Sequence, residues 1–267
     1  MLELLQLPPV WKGLLLLVAG GFLFPVTGVY IVRMNLLSIR FMMMHSLMLG
    51  GAIALAADLS PVGVTTAVNV LLVFLLVWLS RSGGMEMGRV NLFLMILSIG
   101  LASILMYAFH VPAKDTMNLL WGSPFTVGWD DFISVGLLGL VVIVYQARYV
   151  RQIRAVFFDP DIAFTSGVNE SAHTYFIVGL TALAVAAAMK LMGAFLMDAL
   201  ILLPAIIASS QASSMKSVFL RASFLGAGLS LTGFFVALLL NWPVSGTIAV
   251  LASIVMGINL IKRRCYA

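Results

Sequence analysis

The feature that most constrains this chain is its succession of apolar runs, each about as long as a lipid bilayer is thick. A helix needs about 20 apolar residues to cross the hydrocarbon core. Of the 267 residues, 62% are hydrophobic and only 9% are charged, and the mean hydropathy is +1.12. A soluble fold cannot bury that much apolar surface. The sequence therefore predicts an all-α fold, a polytopic transmembrane helical bundle.

Nine candidate spans can be marked along the chain. Three of the turns that separate them are very short, at Asp58–Pro61, Lys190–Gly193 and Asn241–Pro243, so eight spans are also possible. Pro204 predicts a break or kink inside the seventh candidate. The candidates cover residues 12–32, 41–58, 61–80, 89–110, 131–149, 172–190, 192–209, 217–240 and 244–261.

The basic residues indicate the orientation of the chain. With the N-terminus outside, twelve of the fifteen Lys and Arg residues fall in cytosolic connections, and only Lys12, Lys114 and Lys190 fall outside. Positive charges accumulate on the cytosolic side of membrane proteins. We therefore expect an outer N-terminus and a cytosolic C-terminus. No polar segment is long enough to form a soluble domain, so a single transmembrane domain over residues 1–267 is expected.

The longest polar interruption runs from Arg148 to Glu170 and is expected on the cytosolic side. Pro160 suits the first turn of a helix with Asp159 as its N-cap, and Gly167 can end that helix in the left-handed conformation. A short amphipathic helix over about 160–166 is therefore predicted. It is either a docking helix for a cytosolic partner or a plain interfacial helix.

Few ionisable side chains lie inside predicted spans, where such groups are costly and often functional. His45 lies in the second candidate span and Asp198 in the seventh. Imidazole and carboxylate groups suit zinc, and carboxylates also suit manganese, so both residues are candidates for a substrate pathway and for transient metal contact. The alternatives are a neutral core histidine bonded to a neighbouring carbonyl, and a carboxylate that partners a hydroxyl or a helix terminus. Nothing in the sequence shows that the two residues meet.

Catalysis is not expected from this chain. The sequence contains no recognisable nucleophile–base pair, no Gly-rich phosphate loop followed by Lys, and no HExxH motif. We expect no cofactor bound by the chain itself. The lone Cys265 excludes a disulfide framework. The net charge of +5 reports topology in such a chain, so nucleic acid is not an expected partner.

Four stretches resemble the zinc/manganese/iron ABC transporter permeases, the ABC-3 type of integral membrane subunit. They are VRMNLLSIRFMMMHSLMLGG at 32–51, LLWGSPFTVGWDDF at 119–132, DPDIAFTSGV at 159–168 and MGAFLMDALILLPAIIA at 192–208. The third is similar to that family's cytosolic coupling segment, and the fourth to the span that follows it. The four occur in the family's order and spacing, across about residues 10–264.

The resemblance implies a homodimeric permease in the lipid bilayer, multi-pass in the inner (cytoplasmic) membrane of a bacterial cell. Each copy would seat its coupling segment, 150–170, on a separate cytosolic ABC ATPase subunit that holds ATP and Mg. An extracytoplasmic solute-binding protein would deliver a divalent metal, which is zinc, manganese or iron in this family. The positions that the resemblance assigns to the ATPase contact are Asp159, Pro160, Asp161, Ile162, Ala163, Phe164 and Gly167.

The second span departs from the family pattern. Members commonly carry Gly-Asp four or five residues before the histidine, whereas Arg40 and Phe41 stand there in this chain. We hypothesise that Asp198 supplies the missing carboxylate from another span. The departure leaves open a permease of the same architecture that moves a chelate or another non-metal solute. A secondary transporter driven by an ion gradient is a further alternative, although no clear internal repeat is visible.

Two connecting segments have more than one interpretation. The outer segment from His110 to Asp131 contains Trp121 and Trp129, which indicate either a membrane interface or a short re-entrant helix. The inner turn SGGMEMGR contains Glu86, which could touch the ATPase or be an ordinary solvated acid.

Overall fold

The computed structural model of the chain describes residues 6–111, 124–125, 127–212 and 214–266. These residues form α-helices joined by turns, with no strand among them, so the predicted all-α class is confirmed. The helices are α1 (Pro8–Arg33), α2 (Ile39–Ala56), α3 (Pro61–Ser82), α4 (Met87–Ala108), α5 (Trp129–Phe158), α6 (Pro160–Thr165), α7 (Glu170–Gln211), α8 (Met215–Leu240) and α9 (Val244–Tyr266).

Eight helical segments in the described part of the chain are long and apolar enough to cross a membrane. One of them is the first part of α7, here α7a (Glu170–Met189), and a shorter apolar helix, α7b (Leu196–Gln211), follows it. At 1.5 Å per residue α7b is about 24 Å long, somewhat less than the roughly 30 Å of a hydrocarbon core. The choice between eight and nine spans therefore stays a prediction, as does the orientation.

The interruption of α7 lies at Gly193 and not at Pro204. Gly193 has φ +77° and ψ 169°, a conformation that ends a helix and that glycine adopts without a steric penalty. The break expected at Pro204 is absent, because α7b continues through that residue, and the alternative of a kink there stays a prediction. The short turn expected at Lys190–Gly193 is where α7 is interrupted. A proline removes one helical hydrogen bond, a loss that membrane helices tolerate when neighbouring groups satisfy the freed carbonyl.

The chain divides into two compact units. We call Arg33–Trp121 with Leu140–Ala186 the central unit, and Met1–Val32 with Gly122–Gly139 and Ala187–Ala267 the terminal unit. The single domain expected over residues 1–267 stays a prediction.

In the central unit, α2 packs against both α3 and α4. The contact between α2 and α3 is close at Gly50, where a Cβ atom would lie 2.6 Å from the Cα of Thr65. Small residues of this kind let helices approach each other closely in lipid, where dispersion contacts drive their association.

In the terminal unit, α1 packs closely against α8 and α7b. A Cβ atom on Gly21 would lie 2.7 Å from the carbonyl oxygen of Gly226, and one on Gly28 would overlap the carbonyl oxygen of Ile201. The backbones of three helices therefore meet without intervening side chains at these points. Next to this contact, α8 packs against α9.

The connection between α4 and α5 is described only in part, because residues 112–123 and 126 lie outside the described residues. The choice between an interfacial segment and a re-entrant helix falls on those residues and stays a prediction. At the start of α5, Trp129 is largely exposed and packs edge-on against Trp11. The Lys12 ammonium lies 4.8 Å from the centre of the Trp129 ring. Tryptophan and lysine side chains at helix ends are typical of a membrane interface.

Candidate functional site

The polar segment between α5 and α7 folds as the sequence predicts. Asp159 is extended, and its carboxylate accepts hydrogen bonds from the N–H groups of Asp161 at 2.8 Å and Ile162 at 3.2 Å. Gly167 takes the left-handed conformation with φ +77° just after the helix. The N-cap, the C-terminal glycine and the helix predicted over about 160–166 are therefore confirmed, with α6 covering Pro160–Thr165.

One side of α6 is buried and the other is apolar but exposed. Ala163 is completely buried, whereas Ile162 is 49% exposed and Phe164 is 75% exposed. Phe158, at the end of α5, is 82% exposed. Large exposed apolar side chains grouped at the end of a polar segment are typical of a surface that another protein covers.

The first residue of α7 connects this segment to α3. One guanidinium nitrogen of Arg81 lies 2.6 and 2.8 Å from the two carboxylate oxygens of Glu170, and the other donates to the Ser171 hydroxyl at 2.6 Å. The Thr174 hydroxyl also donates to Glu170, at 2.8 Å. The start of α7, four residues after the end of α6, is therefore bonded to α3.

Helices α5 and α7a also meet through a cluster of aromatic rings. Tyr149 interrupts α5 with non-helical angles of φ −120° and ψ 22°, at the residue where the sequence predicts the fifth span to end. The Tyr145 hydroxyl lies 2.7 Å from Nδ1 of His173, whose ring packs on Tyr149 at 5.4 Å. Phe176 packs on Tyr145 at 4.3 Å. The cluster holds α7a against α5 at the interruption and one helical turn before it.

His45 lies in α2, in the central unit, with Nδ1 2.7 Å from the carbonyl oxygen of Phe41. A carbonyl oxygen only accepts, so Nδ1 carries a proton, and in a neutral ring Nε2 is the nitrogen that keeps its lone pair. A histidine bonded to a neighbouring carbonyl is one of the alternatives that the sequence left open. It is also the arrangement of most metal-binding histidines, whose second nitrogen donates to a carbonyl or carboxylate.

A buried polar bridge lies one residue from His45. The Ser46 hydroxyl is shared between the Met43 carbonyl of its own helix at 2.7 Å and Asn69 Oδ1 at 3.0 Å, and Asn69 Nδ2 donates to the Ala182 carbonyl at 3.3 Å. Both polar side chains are fully buried. Interhelical hydrogen bonds in membranes contribute about 0.6–2 kcal/mol each, so this bridge fixes α2, α3 and α7a relative to one another beside His45.

Asp198 lies in the first turn of α7b, in the terminal unit, shortly after the interruption at Gly193. A carboxylate is favourable at a helix N-terminus because the helix dipole is positive there. His45 belongs to the central unit and Asp198 to the terminal unit, so their joint role in one pathway stays a prediction. Within the described ranges, no group of three or more His, Cys, Asp and Glu residues is placed to hold a metal ion.

The chain matches the model of the ABC 3 transport family over residues 6–263. The protein belongs to this family. The resemblance shown by the four sequence stretches is therefore confirmed, and so is the interpretation of the chain as a transport protein.

Three named proteins are similar in sequence to this chain, over about half or most of its length. A probable metal transport system membrane protein of Chlamydia muridarum is 27% identical over 259 residues, which are 93% of this chain and 86% of the relative. The zinc uptake membrane protein ZnuB of Haemophilus influenzae is 20% identical over 88% of this chain and 90% of its own length. The manganese import permease ScaB of Streptococcus gordonii is 28% identical over 54% of this chain and 51% of its own length.

A solved structure shares the fold of this chain. PsaBC from Streptococcus pneumoniae, solved in complex with Fab, superposes with a TM-score of 0.81. The match covers 96% of this chain and 92% of that chain at 19% identity. At this identity the likeness is one of fold.

Three of the residues described above were not singled out in the sequence. Arg81 and Glu170 lie at helix ends, where charged residues are common, and nothing in the sequence indicates that they pair. His173 lies at the predicted edge of a span, where a histidine is unremarkable. The one available signal was that Tyr145 and Tyr149 stand one helical turn apart, which places both rings on one face of α5.

Proposed function

We propose that this protein is the membrane-spanning permease subunit of an ATP-binding cassette importer for a divalent metal ion. Family membership makes it a transport protein, and its named relatives transport metal, manganese or zinc. The observation that carries the proposal is the capped helix α6, with exposed Ile162 and Phe164 and buried Ala163. Such a helix fits an apolar groove on a cytosolic ATPase subunit.

In this proposal α6 is the coupling helix. The ATPase subunits hold ATP and Mg, and their closure displaces α6. The interruption of α5 at Tyr149 lets the end of α5 move with α6 while the membrane-embedded part turns less. The Arg81–Glu170 pair passes the displacement to α3 and α7a. The ATPase thereby switches the pathway between outward and inward access.

His45 and Asp198 contact the metal during passage. The bond from His45 Nδ1 to the Phe41 carbonyl leaves Nε2 as a ligand, and the Ser46–Asn69 bridge beside it supports the helix that presents it. Asp198 provides the carboxylate that the second span lacks. Ligands on a pathway must replace hydration water and still let the ion leave, which favours few contacts over a closed cage.

The working assembly is a homodimer in the bacterial inner membrane, with two ATPase subunits inside and a solute-binding protein outside. Helices α3, α4 and α5 support this arrangement, because less than a third of their most apolar windows is buried within one chain. Lipid and the second copy would cover the rest.

The experiment that tests the proposal measures the affinity of the ATPase subunit for the purified permease in nanodiscs. Phe164→Ala removes an exposed ring from α6, and truncation of such an aromatic anchor typically costs about 2 kcal/mol, or roughly thirtyfold in affinity. Phe224→Ala is the matched control, since Phe224 is 66% exposed on the membrane helix α8. The assignment of α6 would be contradicted if both substitutions lowered the affinity equally, or if neither substitution lowered it.

A further inference from the structure

A cavity of about 780 Å³ opens at one end of the central unit. Its walls are the turn between α1 and α2, the end of α3, and the starts of α4 and α7. The charge distribution predicts that these helix ends lie in the cytosol. Cavities of 300–1,000 Å³ are typical of ligand sites. Its lining residues include neither α6 nor His45.

The cavity wall contains hydrogen-bonding atoms that have no partner. Asn91 is only 4% exposed, and its Nδ2 donates to the Ser38 carbonyl at 2.9 Å, which fixes the orientation of the amide. The Asn91 Oδ1 atom and the Ser80 hydroxyl are both buried without a hydrogen-bond partner among the described residues. A buried acceptor without a partner is costly, so a guest that displaces the cavity wall far enough to donate to it would be bound favourably.

The charges at the cavity favour a cation. Arg81 and Glu170 lie in the wall and neutralise each other at 2.6 Å. The remaining lining charge is the Glu86 carboxylate, whose side chain is 78% exposed. Its nearest cation is Arg89 at 3.6 Å, also largely exposed, and such surface pairs are weak. An unpartnered amide oxygen together with a carboxylate suits a Lys or Arg side chain, which carries several donors and a positive charge.

We propose that this cavity receives a basic loop of the ATPase subunit, whose Lys or Arg side chain donates to Asn91 Oδ1 and pairs with Glu86. The inference rests on the proposed function. Glu170 in the cavity wall follows α6 after only four residues, 166–169, and the two lie in the same unit. A partner seated on α6 therefore holds its neighbouring surface close to the cavity at a high effective concentration. The cavity is thus a second contact that fixes how the ATPase is rotated about α6.

Neutralising each of the two charges at the cavity rim, Glu86 and Arg89, tests whether the bound side chain is positively charged. Glu86→Gln and Arg89→Gln alter neighbouring exposed residues, so neither endangers the fold. The measurement is the affinity of the purified ATPase subunit for the permease in nanodiscs at low and at high salt. We expect Glu86→Gln to weaken binding about threefold and Arg89→Gln to strengthen it about as much, with both effects smaller at high salt. Tighter binding of Glu86→Gln with weaker binding of Arg89→Gln, or an unchanged affinity in both variants, would overturn the proposal.

Removal of the buried acceptors tests whether the basic side chain of the ATPase reaches Asn91 and Ser80 in the cavity wall. Asn91→Leu is expected to lower the affinity for the ATPase about tenfold, and Ser80→Ala, which deletes only a hydroxyl, about threefold. Ser98→Ala is the matched control, because Ser98 is buried on the same helix and donates to the Leu94 carbonyl of its own helix. If Asn91→Leu does not fold, Ser80→Ala decides, and an unchanged affinity in that variant would contradict the proposal.

The failure of this inference differs from a failure of the proposed function. If the ATPase does not bind the wild type, or if Phe164→Ala does not weaken binding, the proposed function fails. If Phe164→Ala weakens binding but the cavity variants do not, only the cavity inference fails. Loss of a co-purified lipid in Glu86→Gln, seen by native mass spectrometry at unchanged ATPase affinity, would assign the cavity to lipid and overturn the inference.

Discussion

The N-cap of α6 gives the sharpest quantitative prediction. Asp159→Ala removes the acceptor of two backbone hydrogen bonds, to Asp161 at 2.8 Å and to Ile162 at 3.2 Å. Loss of an N-cap costs about 0.5–2 kcal/mol, typically about 1 kcal/mol. The helix has only 6 residues, and helices this short are marginal on their own, so the whole cost falls on the folded population of α6.

A cost of about 1 kcal/mol corresponds to about a fivefold loss of affinity for the ATPase subunit, within bounds of roughly twofold and thirtyfold. Binding to the permease in nanodiscs measures this loss, and hydrogen exchange at the amide of Ile162 reports the opening of the helix. Asp159→Ser is the matched control, because serine also caps helices well and keeps an acceptor at this position. Equal affinities for the Ala and Ser variants, or an Ala variant as tight as the wild type, would refute the reasoning.

Three further predictions concern packing, the ion pair and the pathway. Gly28→Leu should destabilise the protein by more than about 3 kcal/mol, because its Cβ would overlap a backbone carbonyl, whereas Gly100→Leu should leave the melting temperature unchanged, since nothing lies within 4 Å of its Cβ position. Arg81→Met leaves Glu170 without its cation, and because the two side chains are 32% and 17% exposed we expect a loss of about 1–2 kcal/mol in thermal unfolding, with weaker stimulation of ATP hydrolysis. His45→Ala should lower metal uptake at least tenfold and leave ATPase affinity unchanged; uptake at the wild-type rate would remove His45 from the pathway.

The short coupling segment was predictable because its signals are local. The N-cap Asp159, the Pro160 in the first turn and the left-handed Gly167 lie within nine residues of each other, and each acts through its own backbone. The membrane helices were predictable for a similar reason, since hydrophobic length alone marks them. Most of the observed helix ends differ by a few residues from the predicted ends of the spans, because a helix is not confined to the hydrocarbon core and can continue into the membrane interface.

Other features could not be obtained from the sequence because they depend on contacts between distant segments. Arg81 and Glu170 are 89 residues apart, and nothing near either residue indicates the pairing. Arg148, Arg151 and Arg154 indicate where the fifth span leaves the membrane. Helix α5 nevertheless continues to Phe158, beyond its interruption at Tyr149. By contrast, the interruption of α7 at Gly193 falls in the short turn that the sequence predicts at Lys190–Gly193.

The central claim is that this chain moves a divalent metal ion when a separate ATPase drives it. The most direct test is uptake into proteoliposomes that contain the chain, its ATPase subunit and its solute-binding protein. Zinc, manganese and iron are supplied separately, free or chelated, with and without ATP. We expect ATP-dependent accumulation of one free metal, which is abolished when the ATPase is omitted. Transport by this chain alone, or ATP hydrolysis without movement of any free metal, would contradict it.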